Sequence, residues 1–259
     1  MPEPLKFLAF DTSTDRMSVA VTDGARVWQH SGPGGAQAST TLIPAILALL
    51  AESGMTLGEM EAIAFGRGPG SFTGLRTACA VAQGLAFGAN HGAGIPLLPV
   101  DTLMAVAEEA RFQQAGAMAA GDAPFTITAL LDARMDEMYV QSYEFRSGGY
   151  MSIKDCELIR PENLVHGASA RLLAGNVFGV YAGRLPAAVA ALPCIEAFPT
   201  ATALLRLAPA LAAAGQCIEA GLALPLYVRD KVAQTTGERA QIKAGAQAAL
   251  AAPVIPLES

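Results

Sequence analysis

The chain has 259 residues, 52% of them hydrophobic, with 17 basic against 23 acidic side chains and a net charge of −6. That is material for one or two domains with a full core, and the absence of any Lys/Arg run excludes a chain that grips nucleic acid by itself. No apolar stretch reaches the ~18 uninterrupted residues of a membrane span, and Met1 to Phe10 lacks the longer apolar core of an export signal, so a cytoplasmic location is expected. Cys79, Cys156, Cys194 and Cys217 show no CxxC spacing, which fits reduced, mostly buried thiols.

In chain order, Leu5–Phe10 reads as a strand ending at Asp11-Thr12-Ser13-Thr14, Met17–Thr22 as a second strand and Arg26–His30 as a third. Asp23-Gly24 between the last two predicts a tight hairpin with positive φ at both central residues. A glycine-rich loop, Ser31 to Ala38, leads to a helix over Ser39–Ser53, with Leu42, Ile46, Leu49 and Leu50 on one face. Ile43 and Leu47 widen that face beyond what one sheet covers.

Ala62–Phe65 is a short buried strand, and it runs into Gly66-Arg67-Gly68-Pro69-Gly70-Ser71-Phe72-Thr73-Gly74-Leu75-Arg76. Gly66, Gly68 and Gly70 permit positive φ or close approach of another backbone, Pro69 stiffens the loop, and Ser71 or Thr73 can cap a following helix over Thr77–Ala89. A glycine-rich turn at a helix N-terminus can cradle phosphate. The Walker A pattern fails, because no lysine lies between Lys6 and Lys154, and GxGxxG fails because Ser71 follows Gly70. A tight turn with only a folding role is the alternative. On the helix, Arg76, Gln83 and Asn90 form a narrow polar stripe, while Ala78, Ala82 and Ala86, four apart, would let a second backbone come close, from this chain or a partner.

A strand at Ile95–Val100 completes the order β-β-β-α-β-α-β, a mixed sheet with crossover helices, as in a ribonuclease-H-like half-domain. A helix over Asp101–Gln114 and a Gly/Ala-rich linker, 115–124, follow. The pattern then restarts: Phe125–Leu131 ends in Asp132-Ala133-Arg134, Met138–Phe145 is its hairpin partner, and Tyr150–Leu158 is a third strand. Beyond lie a short helix at Pro161–Val165, a short strand at Arg171–Ala174 and a Pro/Ala-rich stretch, Pro186–Pro199, too little to hold ATP alone. Thr200–Ala214 reads as a helix disturbed by Pro209. The expected organisation is a first lobe over 1–114 with 200–233 packing back on it, a reduced second lobe over 115–199, and a frayed or flexible tail over 234–259. His30, His91 and His166 are too far apart for the two-histidine metal pattern of a helix, Ser71 sits in no GxSxG elbow, and no paired-carboxylate motif stands out.

The run Gly68-Pro69-Gly70-Ser71-Phe72-Thr73-Gly74-Leu75-Arg76 resembles the signature of the bacterial TsaB (YeaZ) family, partners in threonylcarbamoyladenosine synthesis on tRNA. Asp132-Ala133-Arg134 with Tyr139 resembles the family's motif opening the second half. Leu224-Pro225-Leu226-Tyr227-Val228-Arg229 resembles its closing Tyr-Leu-Arg motif, with Val228 in place of Leu. The resemblance implies the α/β actin, Hsp70 and sugar-kinase superfold, with two tandem ribonuclease-H-like lobes. Asp11, Thr12 and Ser13 would stand at its first phosphate loop, and Asp132 at the matching strand end.

It further implies a non-catalytic scaffold that joins a TsaD-like catalytic subunit and a TsaE-like ATPase to modify adenosine 37 of tRNA. The chain would meet tRNA only within that complex and no membrane, form a homodimer when alone, and carry no cofactor of its own, with ATP at a subunit junction. The expected partner surface is Gly70, Ser71, Phe72, Thr73, Gly74, Leu75, Arg76, Ala78 and Ala82, so that Ala82→Glu or a bulky residue at Ala78 should block assembly and leave a folded monomer. Many members carry histidine where this chain has Ala38. Two rivals are a kinase-like ATP-dependent enzyme with a cleft at Asp11 and Asp132, and a peptidase dependent on Ser71.

Overall fold

Alternation of side chains across the first strands decides the layering. In the computed structural model, which describes residues 5–89, 94–114, 124–146, 149–165 and 170–229, β1 (Phe7–Asp11) sends Leu8 and Phe10 to one face and Phe7 and Ala9 to the other. It sits at the centre of a sheet ordered β3-β2-β1-β4-β5, with β2 (Arg16–Thr22), β3 (Val27–Pro33), β4 (Ala62–Gly68) and β5 (Leu97–Asp101). β2 runs antiparallel to β1 and to β3, whereas β1, β4 and β5 are parallel. Helices α1 (Ala38–Ser53) and α2 (Phe72–Gly88) cover the Leu8/Phe10 face.

The second sheet repeats this plan. β6 (Phe125–Arg134) is central in the order β11-β10-β6-β7-β8, with β7 (Glu137–Arg146), β8 (Gly149–Ser152), β10 (Ala170–Gly175) and β11 (Cys194–Glu196), while β9 (Glu157–Ile159) also pairs with β7. Antiparallel β6–β7–β8 and parallel β6–β10–β11 match the first sheet strand for strand. Each half has the ribonuclease-H-like arrangement, and together they form the expected α/β superfold. The second half is thin in helices, not in strands: α4 (Val177–Val180) and α5 (Ala187–Ala190) are single turns, and Pro161–Asn163 is a 3-10 turn that stops short of Val165.

Between the sheets lie α3 (Thr102–Gln113) and α6 (Ala201–Ala213), whose buried faces join Phe7, Ala9, Ala62, Ala64 and Leu98 of the first sheet to Ile127, Ala129, Leu131 and Tyr143 of the second in one core. Small residues at Ala9, Ala20, Ala62 and Ala64 let these helices lie close. The N-terminus of α6 is fixed by Ser18, whose Oγ accepts from the Ala201 amide at 2.9 Å, and by Thr200, which caps Ala203. Buried Glu108 accepts from Arg111 and Arg206, and Glu109 from Arg206 and Thr200, so the charges that α3 places inside are paired. Up to Val228 the described residues form one compact unit. Of the linker only Pro124 is described, and the tail over 234–259 lies outside the described residues.

Several local expectations change for physical reasons. The Asp23-Gly24 hairpin is a wider turn, because the Asp23 carboxylate accepts from the amides of Ala25 (2.8 Å) and Arg26 (2.7 Å), and of the turn residues only Gly24 takes positive φ. The strand expected over Tyr150–Leu158 is broken in two, since Gln141 and Ser152 side chains bond the Lys154 carbonyl and curl the chain out of the ladder. Pro209 does not interrupt α6, nor Pro44 α1. Gly35–Ser53 is long and apolar enough to cross a membrane, yet Ala38, Leu42, Ile46, Leu49 and Leu50 within it pack into the core over the first sheet.

Candidate functional site

β4 runs on through Gly66 and Arg67 to Gly68, pairing with β5 beyond the apolar stretch that marked it in sequence. The glycine-rich segment then turns back and starts α2 at Phe72, five residues earlier than expected, with Ser71 as its N-cap. This brings three glycines against the end of β1. A side chain at Gly66 would overlap the Asp11 carboxylate, one at Gly74 the Thr12 carbonyl, and one at Gly70 the Ser13 carbonyl and Cβ. Hydrogen bonds close the contact: Thr12 Oγ1 donates to the Gly74 carbonyl at 2.7 Å, and the Ser71 amide donates to the Ser13 carbonyl at 2.7 Å. The glycine pattern is therefore a clasp that locks the first-strand loop onto the N-terminus of α2. The Ser71 amide, which a phosphate at this helix end would need, is spent on the Ser13 carbonyl.

Asp11 is wholly buried in this clasp. Its Oδ1 accepts from the Ser13 amide (2.8 Å) and hydroxyl (2.6 Å), while Oδ2 is buried without a hydrogen-bond partner. Burial outweighs the two Ser13 bonds and pushes its pKa up to about 6 from 3.8. Because the folded value lies above the unfolded one, the native state holds the proton longer. The penalty is absent below about pH 4, develops as pH rises toward 6 and is complete above it, on the order of 2–3 kcal/mol. Asp11→Asn is expected to remove this fall in stability between pH 4 and 6. Chemical denaturation of both proteins at stepped pH checks it, and parallel pH curves would reject the assignment.

Of the expected partner residues, Ser71, Thr73 and Arg76 are exposed and Gly70 and Phe72 half-buried, but Gly74 and Leu75 face inward. Ala78 and Ala82 are wholly buried in this chain's own core with Ile63 and Phe65, so in this fold they are closed to a partner. The second backbone those alanines admit is internal. The polar stripe, with buried Cys79 beside it, has an internal use as well: Arg76 Nε donates to Tyr227 Oη (3.0 Å), Cys79 Sγ to the Ala223 carbonyl (3.3 Å), and Gln83 Nε2 to the carbonyls of Ala220 (3.1 Å) and Ala223 (3.2 Å). Residues 220–228 thus form a strap along α2. Leu226 continues it, its amide donating to the Arg67 carbonyl at 2.7 Å. Arg76 also lies over the Phe72 ring at 3.8 Å, with the Tyr227 ring 5.3 Å from that of Phe72. The strap was missed in sequence, although isolated polar residues on an otherwise apolar helix were its signal. Asn90 lies outside the described residues.

Asp132 stands two residues before the end of β6, whereas Asp11 is the last residue of β1, and the Asp132 carboxylate is engaged within its own half. It accepts from Tyr181 Oη (2.8 Å) and the Arg134 amide (2.9 Å), and pairs with the Arg134 guanidinium at 3.1 Å. Burial, then this bond, raises the Tyr181 pKa. Among the described residues no three His, Cys, Asp or Glu gather to hold a metal, and His91 and His166 lie outside them. Cys79 is buried, Cys156 and Cys217 are half-buried and Cys194 is exposed, so the thiols are less buried than expected. Desolvation pushes Cys156 up to about 12, which leaves it an unreactive thiol. Ala38 is buried at the start of α1.

A family model described as TsaD, tRNA N6-adenosine threonylcarbamoyltransferase, matches residues 33–214. The solved YeaZ from Pseudomonas aeruginosa superimposes with a TM-score of 0.75 and 35% identity, over 86% of this chain and all of that one. The chain belongs to the TsaB (YeaZ) family. Among curated relatives, the tRNA threonylcarbamoyladenosine biosynthesis protein TsaB of Escherichia coli is 34% identical over 62% of this chain and 65% of its own length. That of Haemophilus influenzae is 39% identical over 52% of each. The matched stretch thus spans between about half and two thirds of the curated TsaB proteins.

Proposed function

We propose that the chain serves tRNA threonylcarbamoyladenosine biosynthesis as a non-catalytic scaffold of a heteromeric complex with a TsaD-like transferase subunit and a TsaE-like ATPase. The observation that carries the reading is the outer face of α1 and α2. After their inner faces fill the core, α1 still exposes Ile43, Pro44, Leu47, Ala48 and Ala51, and α2 exposes Ala80, Gly84 and Phe87. An apolar stripe left over after the core is complete marks a docking surface, and neighbouring helices offer ridges for a second pair. The same face would pair two copies when the partner is absent. The chain meets tRNA only through the complex, in the cytoplasm. ATP belongs at a subunit junction, since the clasp fills the loop where this superfold holds phosphate.

The test is the mass of the chain by light scattering, alone and mixed with the TsaD-like subunit of the same host. A stoichiometric complex is expected. Ile43→Glu with Leu47→Glu, both at exposed positions, should leave the thermal melt unchanged and weaken that complex on the order of tenfold or more. Magnesium-dependent ATP binding by the lone chain, abolished in Asp11→Ala, would instead favour a kinase-like enzyme.

A further inference from the structure

Two oxygens near the carboxyl ends of the first sheet's parallel strands, Asp11 Oδ2 and Thr102 Oγ1, are buried without a hydrogen-bond partner among the described residues. Buried polar atoms of native folds are paired as a rule, so each calls for a partner. Both stand on the side of the sheet that faces the second sheet. On β1, β4 and β5 that face carries Phe7, Ala9, Ala62, Ala64, Leu98 and Val100, and alternation extends it to Asp11 and Gly66. Asp11 adjoins Gly66, one step beyond the Phe10–Phe65 pair. Gly66 pairs in turn with Val100, which leads through Asp101 to Thr102, the first residue of α3. A Cβ on Gly66 would fall on Asp11 Oδ2, so the carboxylate lies across the bare Gly66 backbone, on the side toward β5. Sideways, about one strand spacing (~4.8 Å) then separates Oδ2 from the path of β5 into α3. That exceeds one hydrogen bond and is close to two of ~2.8 Å in series.

We propose that Asp11 Oδ2 and Thr102 Oγ1 are the two walls of a buried site for a single water molecule, which joins the end of β1 to the N-terminus of α3. The water donates one hydrogen to the carboxylate and accepts from the Thr102 hydroxyl, so both oxygens are satisfied at once. Water fits this place better than a cation. α3 turns the positive end of its dipole toward the site, and its first-turn amides, which have no intrahelical acceptor, are further donors. No side chain caps them, because the Asp101 carboxylate accepts from Arg67 Nε instead. Among the described residues no three His, Cys, Asp or Glu gather to hold a metal. Asp11 and Thr102 are both fully buried, which closes the site to anything larger. Asp11 has the greater need, since Ser13 serves only its Oδ1 and an ionised carboxylate with one dry oxygen is unfavourable. No charged group is among the causes that shift its titration. The charges at the neighbouring strand ends, Arg67 and Asp101, pair with each other, and Glu108 of α3 pairs with Arg111 and Arg206. The inference is independent of the scaffold reading: the water ties the loop clasped by Gly66, Gly70 and Gly74 to the helix between the two sheets.

The experiment compares the full chain as wild type, Thr102→Val and Thr102→Ser. Valine keeps the shape and removes the hydroxyl, whereas serine keeps the hydroxyl. Asp11 is titrated by carboxyl-carbon NMR of aspartate-labelled protein, its signal assigned by its loss in Asp11→Asn, and thermal melts are taken at pH 4 and 7. Thr102→Val is expected to raise the Asp11 pKa by about one unit, a tenfold gain in proton affinity. It should also lower the melting temperature more at pH 7 than at pH 4, where Asp11 carries its proton, while Thr102→Ser behaves as wild type. An Asp11 titration unmoved by Thr102→Val overturns the site, as does a higher melting temperature at pH 7, the result of removing an idle buried hydroxyl. If Thr102→Val does not fold, a high-resolution crystal structure of the wild-type chain decides. A water within hydrogen-bond distance of both oxygens is expected, and a direct Asp11–Thr102 bond or an empty gap overturns the site. A wild-type melting temperature at pH 7 that rises in sodium or potassium over tetramethylammonium, at equal ionic strength, makes the occupant a cation and also overturns it.

Discussion

Gly74→Ala is expected to lower the unfolding free energy by about 3 kcal/mol or more, an unusual cost for one methyl group. The added carbon would fall inside the Thr12 carbonyl oxygen, which is backbone and cannot rotate away. Relief by shifting α2 would break the 2.7 Å bond from Thr12 Oγ1 to the Gly74 carbonyl and leave buried polar groups unpaired. Gly84→Ala is the control. It has open space around its Cβ and lies in the exposed part of the same helix, so it should gain up to about 1 kcal/mol from helix propensity. Urea unfolding of the two variants against wild type reads both signs. Equal midpoints for Gly74→Ala and wild type would mean that the clasp is not closed in solution.

Ala82→Glu is expected to abolish the folded protein. Ala82 is fully buried between α2 and the first sheet, in the cluster that holds Phe10, Ile63 and Phe65. A carboxylate there costs several kcal/mol even after it takes up a proton, and its added volume must still displace core side chains. Against a total stability of about 5–15 kcal/mol, the remaining margin is small. Ala80→Glu, two residues away on the exposed side, should remain folded. Soluble yield and a circular dichroism melt of the pair decide the matter. A cooperative melt of Ala82→Glu close to wild type would show that the inward face of α2 has been assigned wrongly. The outcome separates stability from assembly, for which Ile43 and Leu47 are the proper probes.

The sequence by itself determined the features that rest on neighbours along the chain. Short apolar runs placed β1 and β2, the glycine and proline chemistry of Gly66–Gly74 marked a special turn, and the restart at Phe125 announced a second sheet of the same order. The Gly68–Arg76 run led to the family that the comparisons show. Boundaries failed where side chains are missing or bond locally: Gly66 and Gly68 carry no apolar signal for the extension of β4, and Ser152 bonds Lys154 instead of continuing a strand.

Only the tertiary structure decided which side of α2 is inside. Its residues are small or apolar nearly all round, so periodicity gives no direction, and Ala78 and Ala82 looked like a surface. What orients the helix comes from far along the chain. Thr12 bonds Gly74 across 62 residues, and Gln83 bonds Ala220 across 137. Such contacts depend on the path of the folded backbone, which local propensity does not encode. The same holds for Asp11, a plain strand-end aspartate in sequence, which the closing glycines turn into a buried acid with its pKa raised by the loss of water.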